Sequence, residues 1–278
     1  MKRFLAILGA VVMILVAVLI RGAMDDDSPF DRSGGKDRPS AAKPKLLCAT
    51  ELTDVCKAIE DAGIATVSVA DSGTTIDLLA KERTANFDLW LTAGPWDQIL
   101  ADNLSFSKKS PSTPLLGTPG PIVARSPVIA VTLEQSATQR ATAACPDGIA
   151  LSCASSDPTL KVGVASPRRG DGLAVLSQAV ANRMAAVAKS ESRPYSGFDT
   201  NDLQSDDLRS WIPDLADTST KARLGKNTPL YVALTKKAVF QLVGALEAEA
   251  SDLLGDRQGP KVTYPQPIVT ADVRLIPR

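Results

Sequence analysis

Three strand-like runs, each followed by residues at helical spacing, occupy the chain from Lys45 to Leu104, and few folds accommodate that order. Lys45–Cys48 reads as a strand, after which Leu52, Val55, Cys56 and Ile59 recur on one helical face, with Thr50 as cap and Gly63 as stop. Ala65–Ala70 alternates apolar and small polar residues as a second strand. Asp71-Ser72-Gly73-Thr74 then turns into a helix in which Thr74 and Asp77 stand at capping-box spacing. Phe87–Leu91 is the third strand, and Pro95 suits the first position of the helix after it. Consecutive βα units imply parallel strands, because a parallel neighbour needs a crossover that a helix supplies.

Beyond this unit, Leu104–Gly120 is rich in serine, proline and glycine and reads as a boundary. Ile122–Leu133 is a long strand-like run, interrupted only by Arg125-Ser126-Pro127, that can cross between two lobes. Lys161–Ala165 is a further strand, and the helix following it sets Leu173, Leu176, Val180, Met184 and Val187 on one face. Leu230–Leu234 reads as a strand, Ala238–Leu254 as a helix closed by Gly255, and Lys261–Arg278 as two strand pieces around Pro265 and Pro267. The fold expected is α/β and two-lobed. The first lobe takes residues of about 45–120 and 240–278, and the second those of about 121–239.

The N-terminal residues follow other rules. Phe4–Ile20 carries no charge and is preceded by Lys2 and Arg3, near the lower limit for crossing a bilayer core of roughly 30 Å. A cleaved signal peptide and an uncleaved anchor compete for this segment. Cleavage after Ala23 would leave Arg21 three residues before the cut, so residues 1–23 are expected to stay as a signal anchor. Asp25, Asp26 and Asp27 follow the run, and the positive-inside rule then places the rest of the chain outside the cell membrane as a single-pass protein. Residues 24–44 hold prolines, glycines and alternating charges, the composition of a disordered tether.

All four cysteines lie beyond the tether, as two equally spaced pairs: Cys48 with Cys56, and Cys145 with Cys153. In an oxidising compartment two local disulfides are the expectation, although four cysteines allow three connectivities. Zinc is one rival reading, disfavoured by the lack of a CxxC spacing and of any histidine, and buried free thiols are the other. Histidine is absent, which removes the commonest general base and every serine–histidine or cysteine–histidine mechanism. Lysine plus arginine equals aspartate plus glutamate at 31 each, so no global field draws the chain to nucleic acid.

The order of the pieces resembles the type II extracytoplasmic solute-binding proteins, above all their molybdate-binding branch. Ala49-Thr50-Glu51-Leu52-Thr53-Asp54 is similar to the first strand-to-helix junction of that family, Asp71-Ser72-Gly73-Thr74 to the second, and Phe87-Asp88-Leu89-Trp90-Leu91-Thr92-Ala93 to the third. Arg125-Ser126-Pro127-Val128-Ile129-Ala130-Val131 resembles the crossing strand, Val162-Gly163-Val164-Ala165-Ser166-Pro167 the first strand-loop of the second lobe, and Tyr264-Pro265 the return. The likeness covers most of residues 45–278 and extends to membrane-anchored substrate-binding domains of actinobacteria. It implies capture of a small solute, with an oxoanion as one candidate, and an ABC-type permease or another envelope protein as partner. It implies no cofactor.

Ligands of such folds sit at the carboxyl ends of parallel strands, where helix N-termini aim free N–H groups at them. Thr50, Glu51, Ser72, Thr74, Thr92, Arg125 and Ser166 are therefore the candidate ligand-binding residues. Each serine or threonine is by itself equally a helix cap. Arg168 and Arg169 could add charge, although at least two of the three arginines read as solvated surface residues. Trp90, Trp96 and Trp211 read as packing residues, and the acidic Asp199, Asp202, Asp206 and Asp207 as caps and surface charges. Catalysis is not expected; Glu51 and Asp88 are the nearest to an acid–base pair. The alternative function is a degenerate binding fold that serves as a protein-interaction or scaffold module of the envelope.

Overall fold

A computed structural model describes residues 43–82, 86–106, 115–132, 134–145, 149–154, 157, 159–197, 204–206, 208–211, 241–249 and 261–278. The expected anchor, nearly all of the tether, the Leu230–Leu234 strand and three of the four clustered aspartates lie outside these residues; Asp206 is exposed.

The three βα units form as expected: β1 (Lys45–Ala49), α1 (Thr53–Asp61), β2 (Thr66–Ala70), α2 (Ser72–Glu82), β3 (Leu89–Ala93) and α3 (Trp96–Phe106). β1 pairs in parallel with both β2 and β3. Leu46, Cys48, Leu89 and Leu91 face one apolar cluster, while Leu47 and Trp90 face another with Trp96 and Leu100. Parallel strands covered on both faces produce this division in β1 and β3, whereas β2, at the sheet edge, is mostly exposed.

β4 (Ile122–Thr132) spans the molecule. Its first half pairs antiparallel with β8 (Thr270–Pro277), its second half with β6 (Leu242–Leu246) and β7 (Lys261–Thr263). Between β4 and β6 come α4 (Gln135–Ala144), the short α5 (Leu151–Ala154), β5 (Val162–Gly163) and α6 (Gly170–Ser190). The sheet order is β2-β1-β3-β8-β4-β6-β5, with β7 on β4. Two strand groups, β2-β1-β3 and β6-β5, are thus joined through β8 and β4.

The cysteines pair as the spacing predicts, Cys48 with Cys56 and Cys145 with Cys153. The first bridge ties β1 to α1 inside the core; each short loop so closed restrains the unfolded chain by about 2–3 kcal/mol. No thiol remains for zinc.

Three expectations need correction. Residues 242–246 form a strand, not part of a helix: Leu242-Val243-Gly244-Ala245-Leu246 is buried at every position between β4 and β5. A Cβ on Gly244 would crowd Leu151 and Val175, so the helices above this strand sit directly on its backbone. Next, α2 begins at Ser72, which places Thr74 and Asp77 inside the helix rather than in a capping box. Finally, of the expected α6 face only Val180 and Met184 are buried, against Leu208, while Leu173, Leu176 and Val187 are half-buried and Val175, Ala179 and Ala181 line the rest of the buried side. α6 is also covered by the chain before β8, where Gln178 donates to the Pro267 carbonyl (2.6 Å) and accepts from the Val269 N–H (2.8 Å).

Among the described residues, no helix is long and apolar enough to cross a membrane.

Candidate functional site

The carboxyl ends of β1, β2 and β3 meet the loop Ser166–Arg169 and the start of α6. Thr50 Oγ1 donates to Asp71 Oδ1 (2.7 Å), and the buried Ser72 and Thr92 hydroxyls share a hydrogen bond of 2.8 Å. Thr74 lies half-buried in the first turn of α2, one residue beyond Gly73. From the other side, the Arg168 carbonyl accepts the Gly73 N–H (2.7 Å), and Ser166 Oγ accepts the Arg168 N–H (3.3 Å). Glu51 Oε1 accepts the Gly170 N–H (3.0 Å).

Six of the seven candidate residues therefore gather at one junction. The seventh, Arg125, does not: it lies on β4, largely exposed, and donates to Asp272 Oδ1 of β8 (3.0 Å). Convergence does not leave the hydroxyls free. Thr50, Ser72 and Thr92 spend themselves on one another and on Asp71. The two backbones also touch: a Cβ on Gly170 would fall on the Ala93 carbonyl oxygen and Glu51 Oε1.

Behind this contact lies a buried charge cluster that the sequence does not announce. Arg168 and Arg125 are exposed and paired with Asp77 and Asp272, as surface arginines are expected to be. Arg169 is 1% exposed. Its guanidinium grips Asp171 as a fork, Nε to Oδ1 (2.9 Å) and Nη2 to Oδ2 (2.6 Å), and reaches Glu249 Oε1 with Nη2 (2.9 Å). Asp171 Oδ1 also accepts the Gly172 N–H at 2.8 Å. Glu51 is 6% exposed, and neither its Oε2 nor Glu249 Oε2 has a hydrogen-bond partner.

One guanidinium thus faces three carboxyls. Burial, then the Asp171 charge, pushes Glu51 up to about 8; the same two causes raise Glu249 well above the usual carboxylate range. Although burial opposes its charge, Asp171 and Glu249 hold Arg169 above its ordinary value. Asp88, the other carboxylate considered for acid–base work, is elsewhere. It accepts the Lys45 N–H at the opposite end of β1 (2.8 Å), so Glu51 and Asp88 share no site. Among the described residues no acidic or cysteine group has the geometry of a metal site.

Open space lies beside the junction. A groove of about 400 Å³ runs between the start of α3 (Gly94, Asp97, Gln98), the first two turns of α6 (Gly170, Leu173, Ser177) and β8 as its floor. None of the seven candidate residues lines it, and Gly170 joins the two regions. Asp272 and Arg274 put charges of both signs on the floor. The signal for one wall was present in the Gly94-Pro95 turn after the third strand. The floor had no local signal, because only the pairing of β8 between β3 and β4 brings Asp272 there.

Comparison with solved structures identifies the architecture. A protein described as a spermidine/putrescine ABC transporter from Listeria monocytogenes aligns over 85% of this chain and 73% of its own, at a TM-score of 0.52 and 11% identity. The sulfate-binding protein SubI of Mycobacterium tuberculosis aligns over 85% and 75%, at 0.50 and 13%. The periplasmic molybdate-binding protein of Azotobacter vinelandii aligns over 84% and 85%, at 0.45 and 11%. The chain has the fold of type II periplasmic binding proteins. At such identity the likeness is one of fold, and it does not single out the molybdate branch. No protein-family model and no curated protein matches the sequence.

Proposed function

We propose that this protein is an extracytoplasmic solute-binding protein that captures a small polar solute in the groove between its two strand groups. The observation that carries the reading is the groove itself: its walls come from separate strand groups and its floor from a strand that joins them, so closure around a solute needs only bending of β4 and β8. A volume of about 400 Å³ suits an oxoanion with its waters, an amino acid or a small amine. The neighbours of the same fold bear names of sulfate and polyamine binding, which supports a charged solute.

Thermal-shift screening of the full chain with sulfate, molybdate, spermidine, amino acids and sugars tests it. One class is expected to raise Tm, and Ser177→Trp, which fills the groove, to abolish that rise. A flat response across the panel contradicts capture of these solutes.

The proposal includes attachment to the cell membrane by residues 1–23, with 24–44 as tether and an ABC-type permease or another envelope protein as partner. The uncharged Phe4–Ile20 run and the two disulfides support this placement. Cell fractionation checks it: the full chain is expected with the membranes and a form starting at residue 24 in the soluble fraction, while equal partition of the two contradicts it.

One observation favours the scaffold reading instead. The hydroxyls at the strand ends are spent internally, and Glu51 stands at the start of α6, where an anionic ligand would bind. Under that reading the panel leaves Tm unchanged, and crosslinking in membranes recovers a reproducible protein partner.

A further inference from the structure

We propose that Glu51 is a proton-held latch between the two strand groups: as the neutral acid it locks the start of α6 onto the end of β1, and its ionisation lets the halves part beside the solute groove. The reading concerns regulation of the site proposed above, but its geometry stands without a solute. Glu51 belongs to the first strand group, while Arg169, Asp171 and Glu249 belong to the second. Its Oε1 holds the Gly170 N–H, and its Oε2 lies buried without a partner. A neutral carboxyl tolerates that position; a carboxylate there has one oxygen unsolvated and unpaired, which is costly.

The groups around Glu51 decide the direction. Asp171 repels an ionised Glu51, and Arg169 attracts it but is already engaged by Asp171 and Glu249. Asp71, from the β2–α2 turn, is turned to Thr50. The Ala93 backbone, at the end of β3, brings a carbonyl oxygen and no charge. Burial and Asp171 together push Glu51 up to about 8 in the closed form, whereas a solvated glutamate in the open form titrates near 4.5.

The closed form thus binds the proton more tightly. Its advantage is complete below about pH 4.5 and is lost as pH rises towards about 8. Release of one proton on opening makes the open fraction grow about ten-fold per pH unit across that window.

Two amides report the junction directly, Gly170 N–H on Glu51 and Gly73 N–H on the Arg168 carbonyl. Hydrogen exchange of both, corrected for the intrinsic pH dependence, is to be measured on the full chain without solute from pH 5 to 8. Protection of the two is expected to fall by about ten-fold per pH unit, while Leu47 and Leu91 in the sheet stay constant. Glu51→Gln, which keeps the acceptor but cannot ionise, is expected to flatten the response, with unchanged far-ultraviolet circular dichroism. Level protection in the wild type, protection that always tracks the sheet amides, or the same slope in Glu51→Gln overturns the latch. None of these results bears on whether a solute enters the groove.

Discussion

Replacing Arg169 by Met is expected to be the most damaging single change in the protein, lowering stability by about 3–5 kcal/mol in urea unfolding near neutral pH. The guanidinium is buried and is the positive centre for Asp171 and Glu249. Methionine fills much of the volume, so the loss is chiefly electrostatic: the two acids keep their desolvation cost and lose their counter-charge. A pH series separates this from a packing defect. Arg169 lowers the proton affinity of Glu51 and Glu249, so its removal raises both further. A group raised in the folded state weakens folding from its unfolded value up to its folded one, so raising it further adds a cost only above the value it has in the wild type. For Glu51 that value is about 8, so the deficit of Arg169→Met is expected to stay level in mildly acidic to neutral solution and to grow as the pH rises through about 8. Arg169→Lys, which keeps the charge but not the two-pronged grip on Asp171, falls between wild type and Met. A deficit below about 1 kcal/mol, or one independent of pH, contradicts the role given to the cluster.

The second large effect is expected at Gly170. In an isolated helix, glycine to alanine gains up to about 1 kcal/mol, and nothing in the backbone of Gly170 forbids a side chain. Here the added methyl meets the Ala93 carbonyl oxygen and the Glu51 carboxyl. The side chain can swing away, but the carbonyl is held in β3, which is paired on both edges. Gly170→Ala is therefore expected to destabilise by about 1–3 kcal/mol and to lower the protection of the Gly73 amide on the opposite side of the junction. A stabilising substitution would mean that the two strand groups do not touch at this point.

What the sequence disclosed and what it hid divide by range. β1, β2, β3 and the crossing β4 are legible because their apolar residues repeat locally and their turns carry Gly63, the Asp71–Gly73 corner and Gly94-Pro95. The disulfides are legible because each pair is eight residues apart. Leu242–Leu246 was expected as helix because an unbroken buried run has no period, and its two strand neighbours lie far away in the chain. At least two of Arg125, Arg168 and Arg169 read as solvated, and nothing local tells which is not: Arg169 is buried against a glutamate 80 residues on. The Glu51 contact with Gly170 spans 119 residues. Ser72 and Thr92 bond each other and Thr50 bonds Asp71, pairings across separate turns that no spacing rule encodes.

The central claim is that a solute enters between the strand groups, and calorimetric titration of the full chain tests it most directly. Sulfate, glutamate, glucose and spermidine, titrated in turn, represent the four classes of solute. Saturable one-to-one binding by one of them is predicted in the wild type, lost in Ser177→Trp at unchanged Tm. Absence of heat with all four, or binding that survives the filled groove, contradicts it.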